Sequence, residues 1–387
     1  MANILILTEW YPTEANKDWG IFVREFAHAS KKFDNIAVLF SSQDPLMKGL
    51  FKISDNMEDG IRVIRIVCRQ IPFSRCLNII LLFIVFLRLK REIPPDLIHV
   101  HEYSSGILAC VAKALFKIPY AVTQHYAITK EDFKIVYRHE SRLKSSVRIL
   151  LAKIVFHNAS HIISVSRYMM YEIEKLKIKN SFSIVPNTVD TFLFYPQEDL
   201  KQPEPIKHIL FVGDPTYRKG IDTLLEAISM VRKKRNDFVL HILGDGYERK
   251  HFEHLTEKRR LTDLVTFHGY KTKMEVADFM RKSDFLVLPS IWECLPCVII
   301  EALSCGLPIA ASNVGGVKEM VNQDRGVLVL PKNAADLADA IMWMLDNYQN
   351  YDTNAIYEYS LKNFGHEIIG RKLHQIYRYI IRKDSRH

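Results

Sequence analysis

Two glutamates eight residues apart mark the segment WECLPCVIIEALSCGLPIAAS, which runs from 292 to 312. Glu293 and Glu301 are candidates for an acid and a base, a task that needs two carboxylates in one site. Cys294 and Cys297 lie between them in a C-x-x-C arrangement, the spacing of thioredoxin-type redox centres and of half a zinc site. The segment also suits a third role, because carboxylates accept hydrogen bonds from the hydroxyl groups of a ligand.

The elements around this segment help to separate the three roles. The run DFLVLPS (284–290) predicts a strand, and VIIEALSC predicts a helix whose first residue is Pro296. A strand, a short loop and a helix place bare N–H groups and the positive end of a helix dipole at the carboxyl edge of a sheet, which suits a phosphate. Glu293 falls in the loop and Glu301 a turn inside the helix. The acid and base pair is therefore poorly supported.

Short apolar or β-branched runs alternate with helix-length segments along most of the chain, which predicts βαβ units and parallel sheets. The runs in the first half are 3–7, 35–40, 62–67, 96–101, 120–125, 161–166 and 182–187. The runs in the second half are 208–213, 238–244, 265–269, 284–290, 308–312 and 326–330. A polar, proline-bearing stretch separates the two sets and predicts a linker.

The predicted fold is α/β, with two Rossmann-like, doubly wound parallel-sheet domains. We assign 1–194 to an N-terminal domain, 195–207 to the linker and 208–365 to a C-terminal domain. The amphipathic segment 366–387 predicts a helix that packs back toward the first domain. In such a pair of domains we expect ligands at the carboxyl ends of the strands, facing a central cleft.

The composition excludes several classes of protein. With 387 residues, 48% of them hydrophobic and 25% charged, the chain is globular and too long for one ordinary core. Six cysteines are too few for a disulfide scaffold, which favours reduced thiols in a cytoplasmic protein. The longest apolar run, 77–87, is shorter than the roughly 20 residues of a membrane-spanning helix. The N-terminus lacks the basic region of a signal peptide.

The basic charge is concentrated in the first half of the chain. Residues 1–195 carry 26 Lys and Arg against 18 Asp and Glu, whereas the whole chain has a net charge of +9. This predicts an anionic partner, either a phosphorylated substrate or a membrane surface. Segments 75–91 and 138–153 mix basic and apolar residues at helical length, as interfacial helices do, although a core helix with solvated ends has the same pattern. No nucleic-acid-binding module is recognisable.

Further motifs occur in order along the chain: ILTEWYPTEANKDWGIFVREFA, VTQHYA, SVSRYM, IVPNTVDTFLFYP, FVGDPTYRKG, ILGDGYERKHFEHL and SNVGGVKEMV. Together with the segment 292–312, they resemble the retaining glycosyltransferases of family 4, which have the GT-B fold. The glutamates of that family's E-x7-E signature match Glu293 and Glu301.

The resemblance implies that 1–194 is an acceptor-binding domain and 208–365 a nucleotide-sugar-binding domain. It also implies roles for residues of the second half. Glu301 would bind the ribose of a nucleotide-sugar and Glu293 the donor sugar. The loop and helix start between them would face the diphosphate, through Cys294, Leu295, Pro296, Cys297 and Val298. In the motif FVGDPTYRKG, Gly213 would end a strand and Lys219 would grip the diphosphate. Lys219 and Glu293 are counted as catalytic.

In the first half, the resemblance implies that Gly20 belongs to a loop near the donor phosphate and the acceptor. His125 would be a catalytic residue that positions the sugar or stabilises the transition state. Two positions depart from the family pattern: Asp214 stands where an arginine is usual, for which Arg218 is a substitute, and Cys294 replaces a glycine. No D-x-D motif occurs, so no metal is implied and no other cofactor is expected.

We therefore expect a retaining, metal-independent glycosyltransferase that moves a hexosyl-type group from a nucleotide-diphosphate-sugar to a glycan or lipid-linked acceptor. Cell-surface polysaccharide biosynthesis is the expected role. The expected location is the cytoplasm, with the inner face of the cell membrane as an option. Peripheral association with an anionic membrane follows from the basic charge, and no nucleic acid is expected. Two alternatives remain: a sugar-nucleotide epimerase of the same fold, and a non-catalytic nucleotide-sugar-binding partner of a polysaccharide assembly complex.

Overall fold

The computed structural model describes residues 1–13, 17, 19–72, 74–136, 141–197 and 205–384. The chain forms two compact units. The first consists of Met1–Thr188 with His366–His387, and the second of Val189–Gly365. The C-terminal segment thus belongs to the first unit. Most of the predicted linker, 198–204, lies outside the described residues.

The strands are, in chain order, β1 (Asn3–Thr8), β2 (Asn35–Asp44), β3 (Phe51–Glu58), β4 (Ile61–Arg69), β5 (Leu97–His101), β6 (Tyr120–Gln124), β7 (His161–Ser164), β8 (Phe182–Ile184), β9 (Lys207–Val212), β10 (Phe238–Leu243), β11 (Val265–Gly269), β12 (Phe285–Leu288), β13 (Ile309–Ser312) and β14 (Gly326–Val329). The α-helices are α1 (Ile21–Ser30), α2 (Ser74–Glu92), α3 (Gly106–Phe116), α4 (Lys130–Val136), α5 (Arg142–Asn158), α6 (Arg167–Glu174), α7 (Ile221–Arg232), α8 (Arg249–Lys258), α9 (Lys273–Lys282), α10 (Cys297–Ser304), α11 (Val317–Met320), α12 (Ala334–Asn347), α13 (Thr353–Phe364) and α14 (His366–Asp384).

The first unit is built on a sheet of order β3-β4-β2-β1-β5-β6-β7-β8 among the described residues. Its strands are parallel except for β3, which pairs antiparallel with β4. The sequence patterns missed β3 because this edge strand is largely exposed and has no apolar run. A signal for it existed: Asp59 and Gly60, with φ of 48° and 77°, form the two-residue turn that joins hairpin strands.

Helix α14 packs on the first unit against α1. Its backbone approaches closely at Gly370, where a Cβ would stand 2.1 Å from the carbonyl oxygen of Ala29. Ile369, Leu373 and Tyr377 of α14 are buried in a core shared with β1 and β5. Because this face of α14 is apolar at helical spacing, burying it stabilises both the helix and the unit.

The second unit is built on a sheet of order β11-β10-β9-β12-β13-β14, and every pairing within it is parallel. Each predicted strand of both halves overlaps an observed one. The predicted α/β class with two parallel-sheet domains is therefore confirmed. In the described part of the chain, no helix combines the length and the apolar character needed to cross a membrane.

Candidate active site

The strand order of the second sheet reverses between β9 and β12, which lie side by side with Leu210 opposite Leu286. The carboxyl ends of two such strands leave a crevice between the connections that follow them, and ligands of α/β proteins bind there. The connection after β9 carries Gly213 and Lys219, and the connection after β12 carries Glu293. The topology thus brings residues more than 70 positions apart to one edge of the sheet.

Lys219 and Glu293 form an ion pair at this edge. Lys219 Nζ lies 2.6 Å from Glu293 Oε1, and the two side chains are only 14% and 7% exposed. Ser290 Oγ donates a second hydrogen bond to the same oxygen, at 2.8 Å. Burial by itself would raise the pKa of Glu293, but the charges of Lys219 and Arg218 and the two hydrogen bonds outweigh it, and the pKa is lowered. Glu293 is therefore an ionised acceptor.

The turn that carries Lys219 is held from two sides. The carboxylate of Glu248 accepts a hydrogen bond from the backbone N–H of Tyr217, at 2.6 Å. The carbonyl of Arg218 accepts one from the N–H of Ile291, at 2.8 Å, which ties this turn to the loop after β12. The aliphatic part of Lys219 passes beside Gly213. The structure therefore brings together Gly213, Arg218, Lys219 and Glu293.

Helix α10 follows the Glu293 loop and begins at Cys297, so Pro296 is its N-cap rather than its first residue. The correction has a physical basis: Pro296 has a ψ of 122°, which is extended, because the loop must turn before the helix can start. A proline at the N-cap has no side-chain acceptor for the first N–H groups of the helix. Leu295 is buried, whereas Cys297 and Val298 are half-buried at the start of the helix.

Glu301 lies one turn into α10, is only 6% exposed, and pairs with Lys273 at the start of α9. The two glutamates of the E-x7-E segment thus have different lysine partners, Lys219 for Glu293 and Lys273 for Glu301. Both carboxylates are engaged by cations, an arrangement that suits hydrogen-bond acceptors better than a general acid. Lys273 was not predicted as a site residue, because nothing in the sequence distinguishes it from Lys271 two positions earlier.

The loop that carries Glu293 rests on a glycine pair. A Cβ at Gly315, which has a φ of 52°, would stand 1.8 Å from the carbonyl oxygen of Glu293. The N–H of Gly316 donates to the carbonyl of Cys294, at 2.9 Å. Cys294 itself is buried and is not among the residues with positive φ. The loop therefore accepts a cysteine in place of the family's glycine without backbone strain. Neither Cys294 nor Cys297 forms a disulfide.

In the first unit, the strand order reverses between β1 and β5. Gly20 follows β1 and is the N-cap of α1, with a φ of 69°. His125 directly follows β6, and its ring lies 4.4 Å, centroid to centroid, from that of Phe22 in α1. Helix α1 therefore links the two residues that the sequence assigned to this half of the site.

His125 belongs to a buried hydrogen-bonded network. Its Nδ1 lies 3.1 Å from Asn187 Oδ1, and its Nε2 lies 2.9 Å from His101 Nδ1. Burial lowers the pKa of His125 to about 3, so the ring is neutral. Since the Asn187 oxygen accepts, Nδ1 carries the proton of His125, and Nε2 accepts from His101. His101 Nε2 is then a bare acceptor, and this buried atom has no partner within the described residues.

Glu102 directly follows β5 and completes the network. It is 5% exposed and has a φ of 70°, which is rare for a residue other than glycine and typical of functional sites. Its carboxylate accepts hydrogen bonds of 2.7 Å from the N–H of His125 and from Gln124 Nε2. Burial raises the pKa of Glu102 to about 8. Glu102 was not predicted as a site residue, although the sequence DLIHVHE places an acidic residue directly after a predicted strand.

Two family models cover most of the chain. The model described as "Glycosyltransferase Family 4" matches residues 22–192, and "Glycosyl transferases group 1" matches residues 196–360. A similar protein of Bacillus subtilis (strain 168), described as a putative teichuronic acid biosynthesis glycosyltransferase TuaC, is 28% identical over 363 residues, or 88% of each chain. Seven other relatives align over 62 to 66% of their own length, so the chain spans somewhat less than two thirds of them.

Solved structures share the fold. Sucrose-phosphate synthase from Thermosynechococcus elongatus has a TM-score of 0.80 at 24% identity, over 98% of this chain and 99% of that one. HepE from Anabaena, in complex with UDP and glucose, has a TM-score of 0.73 at 18% identity, over 98% of this chain and all of that one. These proteins have the GT-B architecture that the sequence predicted. The chain belongs to the family 4 glycosyltransferases of GT-B fold.

Proposed function

We propose that the protein transfers a hexosyl-type group from a nucleotide-diphosphate-sugar to a glycan or lipid-linked acceptor, with retention of the anomeric configuration and without a metal ion. The observation that carries the proposal is the buried pair of Lys219 and Glu293 at the edge of the second sheet. It places a cation and a carboxylate side by side, immediately before a helix N-terminus, which are the groups needed to hold a sugar diphosphate.

In the proposed donor complex, Lys219 exchanges Glu293 for the diphosphate. The carboxylate of Glu293 then accepts hydrogen bonds from the sugar hydroxyls, and that of Glu301 accepts them from the ribose diol. The N-terminal N–H groups of α10 face the phosphates. Lys219 and the helix dipole would stabilise the negative charge that develops on the leaving diphosphate, and such preorganised electrostatics are commonly the largest contribution to catalysis.

The proposed reaction needs no protein nucleophile. The acceptor oxygen forms a bond to the anomeric carbon as the bond from that carbon to the diphosphate oxygen breaks. Attack from the leaving group's own face retains the configuration, and a phosphate oxygen takes the proton of the acceptor hydroxyl. His125 is proposed to position the sugar or to stabilise the transition state. Since protein groups engage both of its ring nitrogens, this role would require it to exchange one partner.

The choice of donor and acceptor is supported by the similar proteins. HepE was solved with UDP and glucose, which favours a UDP-hexose as the first donor to test. TuaC, which aligns with 88% of this chain, is described as a putative teichuronic acid biosynthesis glycosyltransferase. We therefore propose a role in cell-surface polysaccharide biosynthesis, at the cytoplasmic side of the membrane.

A two-stage experiment tests the proposal. Thermal-shift measurements with UDP-, GDP- and ADP-sugars identify the donor, because a ligand that binds the native state raises its melting temperature. Product analysis with that donor and a panel of glycan and lipid-linked acceptors follows, with the anomeric configuration read by NMR and with EDTA present. We expect a transferred sugar with retained configuration. An epimerised nucleotide-sugar, or binding without turnover, would instead establish one of the two alternative functions.

A further inference from the structure

Three helices of the first unit form one contiguous layer. Helix α3 lies between α2 and α5 and contacts both. The rings of Phe86 in α2 and Phe116 in α3 are 6.1 Å apart. On the other side, Gly106 of α3 packs so closely on Val155 of α5 that a Cβ would stand 2.3 Å from the valine side chain. The helices therefore present a shared outer face.

This outer face is apolar. The helices bury one side against the unit, through residues such as Phe86 and Val155, yet large apolar side chains also occupy the opposite side. Seven of these side chains are 55 to 76% exposed: Ile79, Ile80, Ile84, Leu115, Leu143, Val147 and Leu150. Isolated exposed apolar residues are common, but a patch of this kind across neighbouring helices marks an interaction surface. Helix α2 is therefore buried on one side only, and its exposed apolar residues are not confined to its ends.

The same layer holds the basic excess of the first half. Helices α2, α3 and α5 together contain nine Lys and Arg residues and one acidic residue, Glu92 at the end of α2. This surplus of eight equals the surplus of residues 1–195, which have 26 basic and 18 acidic residues. The remainder of that half is therefore electrically balanced. Lys144 and Lys153 of α5 are exposed beside Val147 and Leu150.

We propose that the outer face of α2, α3 and α5 docks on an anionic lipid surface. Apolar side chains would enter the headgroup region, while the surrounding Lys and Arg side chains meet anionic headgroups, as amphipathic helices do when they lie in the plane of a membrane. The positive charge of this face favours a membrane over a second copy of the chain as its partner. A second copy of this chain would bring one surplus of eight positive charges against another, whereas an anionic bilayer complements both the apolar and the basic parts. The proposal goes beyond the reaction and does not depend on which sugar is transferred.

Vesicle flotation of the full chain tests this surface directly. Vesicles of phosphatidylcholine alone are compared with an equimolar mixture of phosphatidylcholine and phosphatidylglycerol. We expect flotation with the mixed vesicles only, and less of it as NaCl is raised, because salt screens the attraction. Two paired variants report on the two parts of the face: Lys144→Glu with Lys153→Glu, and Val147→Ser with Leu150→Ser. Leu330→Ser and Lys234→Glu, at exposed positions of the second unit, are the matched controls.

Each lysine near an anionic surface contributes about fivefold in binding, so the charge reversals should weaken it by more than tenfold. The serine pair should also weaken it by at least tenfold, because burial of each aliphatic side chain contributes about that factor. The controls should float like the wild type, and all variants should keep the thermal shift given by the donor. Three results would overturn the proposal: no flotation with either vesicle, equal flotation of all variants, or a wild-type dimer in size-exclusion chromatography that the serine pair converts to a monomer.

Discussion

Lys219 Nζ donates to Glu293 Oε1 at 2.6 Å, across two neighbouring strand-to-helix connections of the second sheet. The pair is nearly inaccessible to water, so each charge depends on the other for its compensation. The pairing also holds the aliphatic part of the lysine beside Gly213, and Ser290 is a second partner of the carboxylate. A donor diphosphate that binds here therefore meets a cation that is already oriented.

Removal of Lys219 should lower both the activity and the stability, and a second substitution should distinguish the two effects. We expect Lys219→Ala to lower kcat by about 10²- to 10³-fold, because one preorganised donor to the leaving group is lost. It should also lower the free energy of unfolding by about 3 kcal/mol, because Glu293 is left buried with an uncompensated charge. Adding Glu293→Gln should restore much of the stability and none of the activity. Urea unfolding and steady-state kinetics of the single and double variants measure both effects.

A surface ion pair of the same unit is the control for that experiment. Arg232 pairs with Asp263, and their side chains are 37% and 58% exposed. Arg232→Ala should change the free energy of unfolding by less than about 1 kcal/mol and leave kcat unchanged. If the double variant at Lys219 and Glu293 were no more stable than Lys219→Ala, the two charges would not be coupled as the geometry indicates.

Glu301 should control nucleotide binding rather than the chemical step. Its carboxylate is buried in α10 and engaged by Lys273, which shows that this position can hold hydrogen-bond donors. We expect Glu301→Ala to weaken binding of the free nucleoside diphosphate by at least tenfold, because two hydrogen bonds to the ribose are lost, each to a charged acceptor. Isothermal titration calorimetry measures the effect, with the exposed Glu358→Ala as control. Undiminished nucleotide affinity in the Glu301 variant would remove Glu301 from the donor site.

Gly20 should be intolerant of any side chain. A Cβ at this position would stand 2.2 Å from the carbonyl carbon of Trp10, and the residue has a φ of 69°. We expect Gly20→Ala to lower the free energy of unfolding by about 2 kcal/mol or more, because strain and a backbone clash add up. Gly60 has a φ of 77° but open space around it. Gly60→Ala should therefore lower the free energy of unfolding by about 1 kcal/mol, through backbone strain alone. Equal losses in urea unfolding would mean that the Trp10 contact is unimportant.

The buried network of the first unit should make stability depend on pH. Burial lowers the pKa of His99 and His125 from 6.5 to about 3. Below pH 6.5 the unfolded chain binds protons that the folded chain does not, so stability falls as the pH drops toward 3. Burial raises the pKa of Glu102 from 4.5 to about 8, so its contribution has the opposite sign and is lost as the pH rises from 4.5 to 8.

The variant Glu102→Gln separates these contributions. It removes the opposing carboxyl, so its stability should fall more steeply than that of the wild type between pH 6.5 and 4.5. The expected difference is about 1.4 kcal/mol per pH unit, the value for one proton. Urea unfolding at a series of pH values measures both slopes, and Glu358→Gln should leave the slope unchanged. Identical slopes in the wild type and the Glu102 variant would show that Glu102 is ionised throughout, held by its N–H donors.

The alternation of apolar runs with helix-length segments was enough to predict the two sheets and to locate most of their strands. This was possible because a buried parallel strand must be apolar over its whole length, a property of local sequence. The E-x7-E segment was recognisable for a similar reason, since Glu293, the helix start and Glu301 are close in sequence. Strand β3 was not predicted, because an exposed edge strand needs no apolar run.

The partners of the site residues were decided by tertiary structure. Lys219 meets Glu293, 74 residues away, only because β9 and β12 are neighbours in the sheet, and strand order is not encoded in local patterning. The pairing of Lys273 with Glu301 and the position of Glu102 beside His125 have the same origin. Composition revealed a basic half, but only the packing of α2, α3 and α5 into one layer showed that its charge and its exposed apolar side chains share a face. The sequence of a single helix does not encode which of its sides the neighbouring elements will cover.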